Sequence, residues 1–167
     1  MDNKDFIKNL DETTNDILKL AETCSTEQLN YKQGVSWNIL EIIEHLYLTD
    51  RVIYTVISRP SEIINSSLAI IGKETMQKIL VEKRSRRITS PDVLQPKGEI
   101  KDLTTLVDMF VNQRETWKRD LSTGKISIDN RVHMHPIMGK MTIIDWLNFT
   151  VHHTQRHIEQ VKDIIKS

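Results

Sequence analysis

Trp146-Leu147-Asn148-Phe149-Thr150-Val151-His152-His153-Thr154-Gln155-Arg156-His157-Ile158-Glu159-Gln160 is the stretch whose reading decides the fold. It holds no Gly or Pro, and apolar residues return every three or four positions, which predicts a helix. His153 and His157 are four apart, so their imidazoles lie on one face about one turn apart. That spacing lets both converge on one metal ion. His152 is a competing ligand, and only the four-residue spacing prefers His153. Two ligands make a poor site, and His45 is the best candidate for a third.

Working outward, Thr142 fits an N-cap for this helix, with Asp145 three residues on completing a capping box. Ahead of it, His133-Met134-His135-Pro136-Ile137-Met138-Gly139 reads as an ordered turn. Asp102 to Leu121 carries Leu103, Leu106, Val107, Phe110, Trp117 and Leu121 at helical spacing, and Gly124 ends it. Arg114 falls on that apolar stripe. Its stem can pack on apolar surface with the head in solvent, or its head can bind an anionic group in a pocket.

Earlier in the chain, Asp5 to Cys24 has an amphipathic pattern interrupted by Thr13 and Thr14. Ser36 is the expected N-cap of a second helix running from Trp37 to about Ser58, where Pro60 stops it. On that helix His45 shares a stripe with Glu41, Leu48 and Val52. Glu41, Glu44 and Asp50 are the candidate acceptors for its second ring nitrogen. Ser61 to Ile100 is a looser crossover, with a helical segment expected around Ser66 to Lys83. The short basic run Glu82-Lys83-Arg84-Ser85-Arg86-Arg87 could contact phosphate or an acidic partner, but a solvated helix end is the commoner explanation.

Four long helices predict an all-α, four-helix bundle over residues 1–167 as one domain. The link between helices two and three is long enough to cross the bundle, so the expected order is up-down-down-up. Lys plus Arg is 23 and Asp plus Glu is 23, a net charge of zero. That balance gives no signature of nucleic-acid binding. A single cysteine, Cys24, excludes an intrachain disulfide and fits a reducing compartment. No membrane span or signal peptide is expected, so a cytoplasmic protein acting on a small molecule is the default. Self-association as a homodimer suits a bundle, though no residue fixes it.

Trp37, Glu44-His45-Leu46, His135-Pro136-Ile137-Met138-Gly139, Trp146-Leu147-Asn148-Phe149 and His153-Thr154-Gln155-Arg156-His157 together resemble the DinB/YfiT family. Ser90-Pro91-Asp92, Pro96-Lys97-Gly98 and Arg114 resemble its middle region. The resemblance implies a divalent metal held by His45, His153 and His157. Imidazole ligands suit zinc or nickel first, with copper and iron also compatible. Such a metal would activate water or a low-molecular-weight thiol, since the family includes hydrolases and thiol-dependent S-transferases. His135 matches the family's His-Pro-x-x-Gly turn, where it can serve as an acid or base or simply hold the turn. Arg114 or His135 would assist. The competing expectation is a non-catalytic helical-bundle protein that binds a ligand or partner, with its histidines structural or its metal site vestigial.

Overall fold

A computed structural model describes residues 2–167. Four long helices form the bundle: α1 (Asn3–Glu22), α2 (Ile39–Ser58), α3 (Leu103–Ser122) and α4 (Ile143–Lys166). Each begins at a residue whose side-chain oxygen satisfies an otherwise orphaned helical N–H. Asp2 caps α1 and Asp102 caps α3. Asn38 with Glu41, and Thr142 with Asp145, form reciprocal capping boxes on α2 and α4. The Thr142 cap is as expected from the sequence. Ser36 is not the cap of α2, because Asn38 two residues later supplies both halves of the capping geometry. No helix among the described residues is long and apolar enough to cross a membrane.

Named contacts give the helix directions. Asn3 Nδ2 donates to the Leu121 carbonyl at 2.9 Å, so the start of α1 meets the end of α3 and the two run antiparallel. Asp50 meets Arg114, and Tyr54 donates to Asp120, so α2 and α3 run parallel. His45, early in α2, meets His153, well into α4, which makes that pair antiparallel. The bundle is therefore up-down-down-up, with α4 packed on α1 and α2.

The core falls into two apolar clusters. One gathers Phe6, Ile53, Trp117, Trp146 and Leu147. The other gathers Ile17, Ile43, Leu46, Phe110, Ile158 and Val161. Between them lies a polar layer of Thr13, Thr14, Asp50, Arg114 and Thr154, one or two residues from each long helix. All of its members are buried. The interruption of the α1 stripe by Thr13 and Thr14 thus marks this layer.

The crossover spans the bundle because α2 ends at one end and α3 begins at the other. It is less helical than its periodicity suggested. A short helix, Lys73–Gln77, runs into a π-helical turn, Lys78–Glu82, and residues 66–72 are irregular. The buried Asp145 carboxylate explains this, because it accepts the backbone N–H groups of Ile70, Ile71 and Gly72. Those donors are pulled onto the start of α4 and are lost to a local helix. The segment before α4 is also more ordered than a turn. Val132–His135 (β1) and Gly139–Thr142 (β2) pair antiparallel, with His135 opposite Gly139.

Candidate metal centre

His45, His153 and His157 meet in the seam between α2 and α4, and all three are buried. His45 Nε2 lies 3.2 Å from His153 Nε2. His157 Nε2 lies 3.1 Å from the same atom. His152 is not part of the cluster. One residue along the helix turns it away, and its Nδ1 faces Gln155 Oε1 at 2.7 Å.

The second ring nitrogens determine what the first ones offer. His45 Nδ1 lies 2.7 Å from the carbonyl oxygen of Leu94. A carbonyl only accepts, so Nδ1 carries the proton and Nε2 presents a lone pair. His157 Nδ1 lies 2.8 Å from Gln160 Oε1, which assigns it the same tautomer with Gln160 oriented to accept. The sequence-based acceptors for His45 were Glu41, Glu44 and Asp50, and none of them serves. Glu41 closes the α2 cap, Glu44 accepts from Lys97 N and Gly98 N, and Asp50 pairs with Arg114. The acceptor comes instead from the crossover, 49 residues away. Gln160, one turn beyond His157, was legible as an i+3 neighbour.

Two bare Nε2 atoms therefore face His153 Nε2, which can hold at most one proton. At least one of the short contacts sets lone pair against lone pair, unless a cation sits between them. Adding protons to the rings is disfavoured. Burial pushes His157 down to about 3, with the neighbouring His45 adding to the effect. Burial, then His157 and His45, push His153 well below its ordinary value. Burial lowers His45 too, partly offset by the bond to Leu94. Three nitrogens on one tetrahedral zinc, each about 2.05 Å from it, would be about 3.3 Å apart. The two spacings to His153 Nε2 lie close to that value, and the three ligand atoms all fall within 4.8 Å of one another, so the residues present fit a divalent metal.

Aromatic rings surround the cluster. Trp37 lies over His45, with centroids 4.6 Å apart, and reaches His157 at 6.3 Å. Phe149 stacks on His153 at 5.2 Å and 15°. His135 packs on Phe149 at 5.0 Å and on Trp146 at 5.3 Å. The Nδ1 of His135 accepts the backbone N–H groups of Ile137 and Met138, both at 3.1 Å, so it holds the hairpin turn. Burial lowers its pKa, so near neutral pH its remaining polar group is Nε2–H, a donor.

Arg114 matches neither simple expectation. Its head is not in solvent, being 2% exposed. Its nitrogens donate to Asp50 Oδ2, to Thr14 Oγ1 and to Thr154 Oγ1 at 2.9, 2.9 and 2.6 Å. Thr154 lies on α4 between His153 and His157, so Arg114 fixes the helix that carries both ligands.

The architecture so built is a four-helix bundle with a three-imidazole cluster in the seam of its second and fourth helices. The model of the DinB superfamily matches residues 9–161, and the chain belongs to that superfamily. It is similar to the uncharacterized protein YuaE of Bacillus subtilis, 23% identical over 154 residues covering 92% of this chain and 90% of that one. Two solved structures share its fold. TT2238, described as a four-helix bundle protein, has a TM-score of 0.63 at 13% identity, covering 96% of this chain and 98% of that chain. YfiT of Bacillus subtilis has a TM-score of 0.65 at 16% identity, covering 98% of this chain and 86% of that chain. YfiT is described as a probable metal-dependent hydrolase with an unusual four-helix bundle topology.

Proposed function

We propose that this chain is a divalent-metal-dependent enzyme, a hydrolase in the first instance, acting on a small molecule. His45, His153 and His157 would hold zinc or nickel. The observation that carries this reading is the convergence of three buried Nε2 atoms, two of them deprotonated by virtue of their Nδ1 partners. A divalent cation held there would supply Lewis acidity, lowering the pKa of water or of a thiol.

The chain's own residues have separate tasks. Leu94 and Gln160 hold protons at Nδ1 of His45 and His157, which keeps each Nε2 free. Trp37 and Phe149 shield the imidazoles from bulk water and present apolar walls to a substrate. His135 can offer Nε2–H to a developing negative charge, since its Nδ1 lone pair is occupied by the turn. Arg114 contributes by fixing α4 through Thr154.

Transfer to a low-molecular-weight thiol is the second reading, and one observation favours it. The nearest acids on α2, Glu41, Glu44 and Asp50, are all engaged elsewhere, so none is free as a base for water. A thiol loses its proton more easily and needs less help.

Metal analysis of untagged protein tests the enzyme reading, together with turnover of ester, amide and thiol-acceptor panels before and after chelation. We expect one divalent ion per chain and activity that chelation abolishes. Substoichiometric metal that His45→Ala leaves unchanged would overturn it in favour of a non-catalytic bundle.

A further inference from the structure

The ring of His45 is oriented by a stretch of crossover with little regular structure of its own. Leu94, whose carbonyl accepts from His45 Nδ1, closes a short 3-10 turn, Asp92–Leu94. Three residues on, Lys97 N and Gly98 N donate to Glu44 Oε1 and Oε2, each at 3.0 Å. Glu44 is 7% exposed, so this is a buried carboxylate with both oxygens spent on crossover backbone. Gly98 has φ +67°, and a Cβ there would sit 3.0 Å from Glu41 Oε1. The crossover thus lies directly against the face of α2 formed by Glu41, Glu44 and His45.

From this juxtaposition we infer that Glu44 is a positioning residue for the metal ligand His45, acting through crossover residues 94–98. The inference rests on the reading that the histidine cluster holds a metal. Glu44 is adjacent to His45 in sequence but never touches its ring. Its carboxylate clamps Lys97 and Gly98, which places the Leu94 carbonyl where His45 Nδ1–H must donate. Ring orientation and tautomer are both set by that bond. Without the clamp, Leu94 drifts, His45 loses its fixed tautomer, and Nε2 is no longer held free and aimed at the other two imidazoles. Coupling is reciprocal, so filling the site also holds the crossover down.

The test uses the full chain with zinc as the probe, for wild type, Glu44→Gln and Asp102→Ala. The last removes an exposed cap on α3 whose carboxylate accepts from Thr105 and is not bonded to residues 94–98 or to His45. Zinc affinity is read by chelator competition, and the His45 tautomer by ring 15N chemical shifts in metal-free protein. Glu44→Gln is expected to weaken zinc binding about tenfold or more and to shift His45 toward mixed tautomers. Asp102→Ala should change neither. Zinc should also slow hydrogen exchange at the Lys97 and Gly98 amides of wild type. Should Glu44→Gln fail to fold, Gly98→Ala strains the same segment at a φ of +67° and crowds Glu41 Oε1, and should give the same two changes. If wild type binds zinc and the substituted chain matches it in affinity and ring shifts, Glu44 has no positioning role and the metal reading stands. If wild type binds no metal, both fall together.

Discussion

Arg114 Nε donates to Asp50 Oδ2 at 2.9 Å, with both side chains 2% exposed. This ion pair lies between the two apolar halves of the core, and the hydroxyls of Thr14 and Thr154 accept from the same guanidinium. Thr13, Thr14 and Thr154 also donate to carbonyls of their own helices, so they do not depend on Arg114. Asp50 does. Burial pushes its carboxyl up, and the Arg114 charge opposes that push.

Removing one partner of such a pair leaves an uncompensated buried group, a loss of about 3–5 kcal/mol. Arg114→Ala is therefore expected to lower unfolding free energy by about that amount in urea titration. The double change Arg114→Met with Asp50→Leu should recover most of it, because well-packed apolar replacements of a buried pair are often neutral or stabilising. A double variant no more stable than Arg114→Ala would show that the pair is needed for packing beyond its charge.

Metal binding should register as stability. A ligand that binds only the folded chain adds about 2.7 kcal/mol at a hundredfold excess over its dissociation constant. Zinc or nickel is expected to raise the thermal midpoint of wild type by several degrees. His45→Ala, which removes one of three Nε2 donors, should abolish that rise. A rise of equal size in the variant would place the metal elsewhere in the chain.

The same imidazoles predict the acid limb of stability. His157 is held down to about 3 from an ordinary 6.5 by burial and by His45. In metal-free protein the unfolded chain takes up a proton below 6.5 that the folded chain refuses until about 3. The unfolded state then binds more protons, so stability falls as pH falls through that window, by up to about 1.4 kcal/mol per pH unit for each such imidazole. Above pH 6.5 both states are neutral at this group and its contribution is flat. Urea midpoints between pH 8 and pH 4 check this. In His157→Gln the slope should be shallower, and an unchanged slope would mean that the ring protonates freely in the fold.

The bundle was legible because apolar residues recur at helical spacing in all four long helices, with the Thr142–Asp145 box marking the start of the last, whereas the cap expected at Ser36 lies at Asn38. The cluster was legible because His153 and His157 share a helical face. What was not legible came from the crossover. Nothing in a periodic pattern announces that Leu94, through a backbone carbonyl, will hold His45, or that Asp145 will draw Ile70, Ile71 and Gly72 away from helix. Backbone groups carry no side-chain signature, so such contacts appear only once the chain is folded. The role of Arg114 was hidden for a related reason. Its partners Asp50, Thr14 and Thr154 lie on three other helices.

His152 and His153 put the site assignment to its sharpest test. They are neighbours in sequence, both are buried, and each lies within one turn of a glutamine, so composition cannot separate them. The helix does, because a step of one residue rotates a side chain by about 100°. His153 Nε2 meets two other imidazoles, whereas His152 Nε2 is buried with no hydrogen-bond partner among the described residues. His153→Ala is expected to weaken zinc binding by at least a hundredfold, since it removes one of three ligands. His152→Ala removes no ligand and should leave affinity within about twofold, while its stability cost is limited to lost packing and the Gln155 contact. Paired zinc titrations of the two variants decide the matter, and equal losses would mean that the ligand sits at His152 in solution.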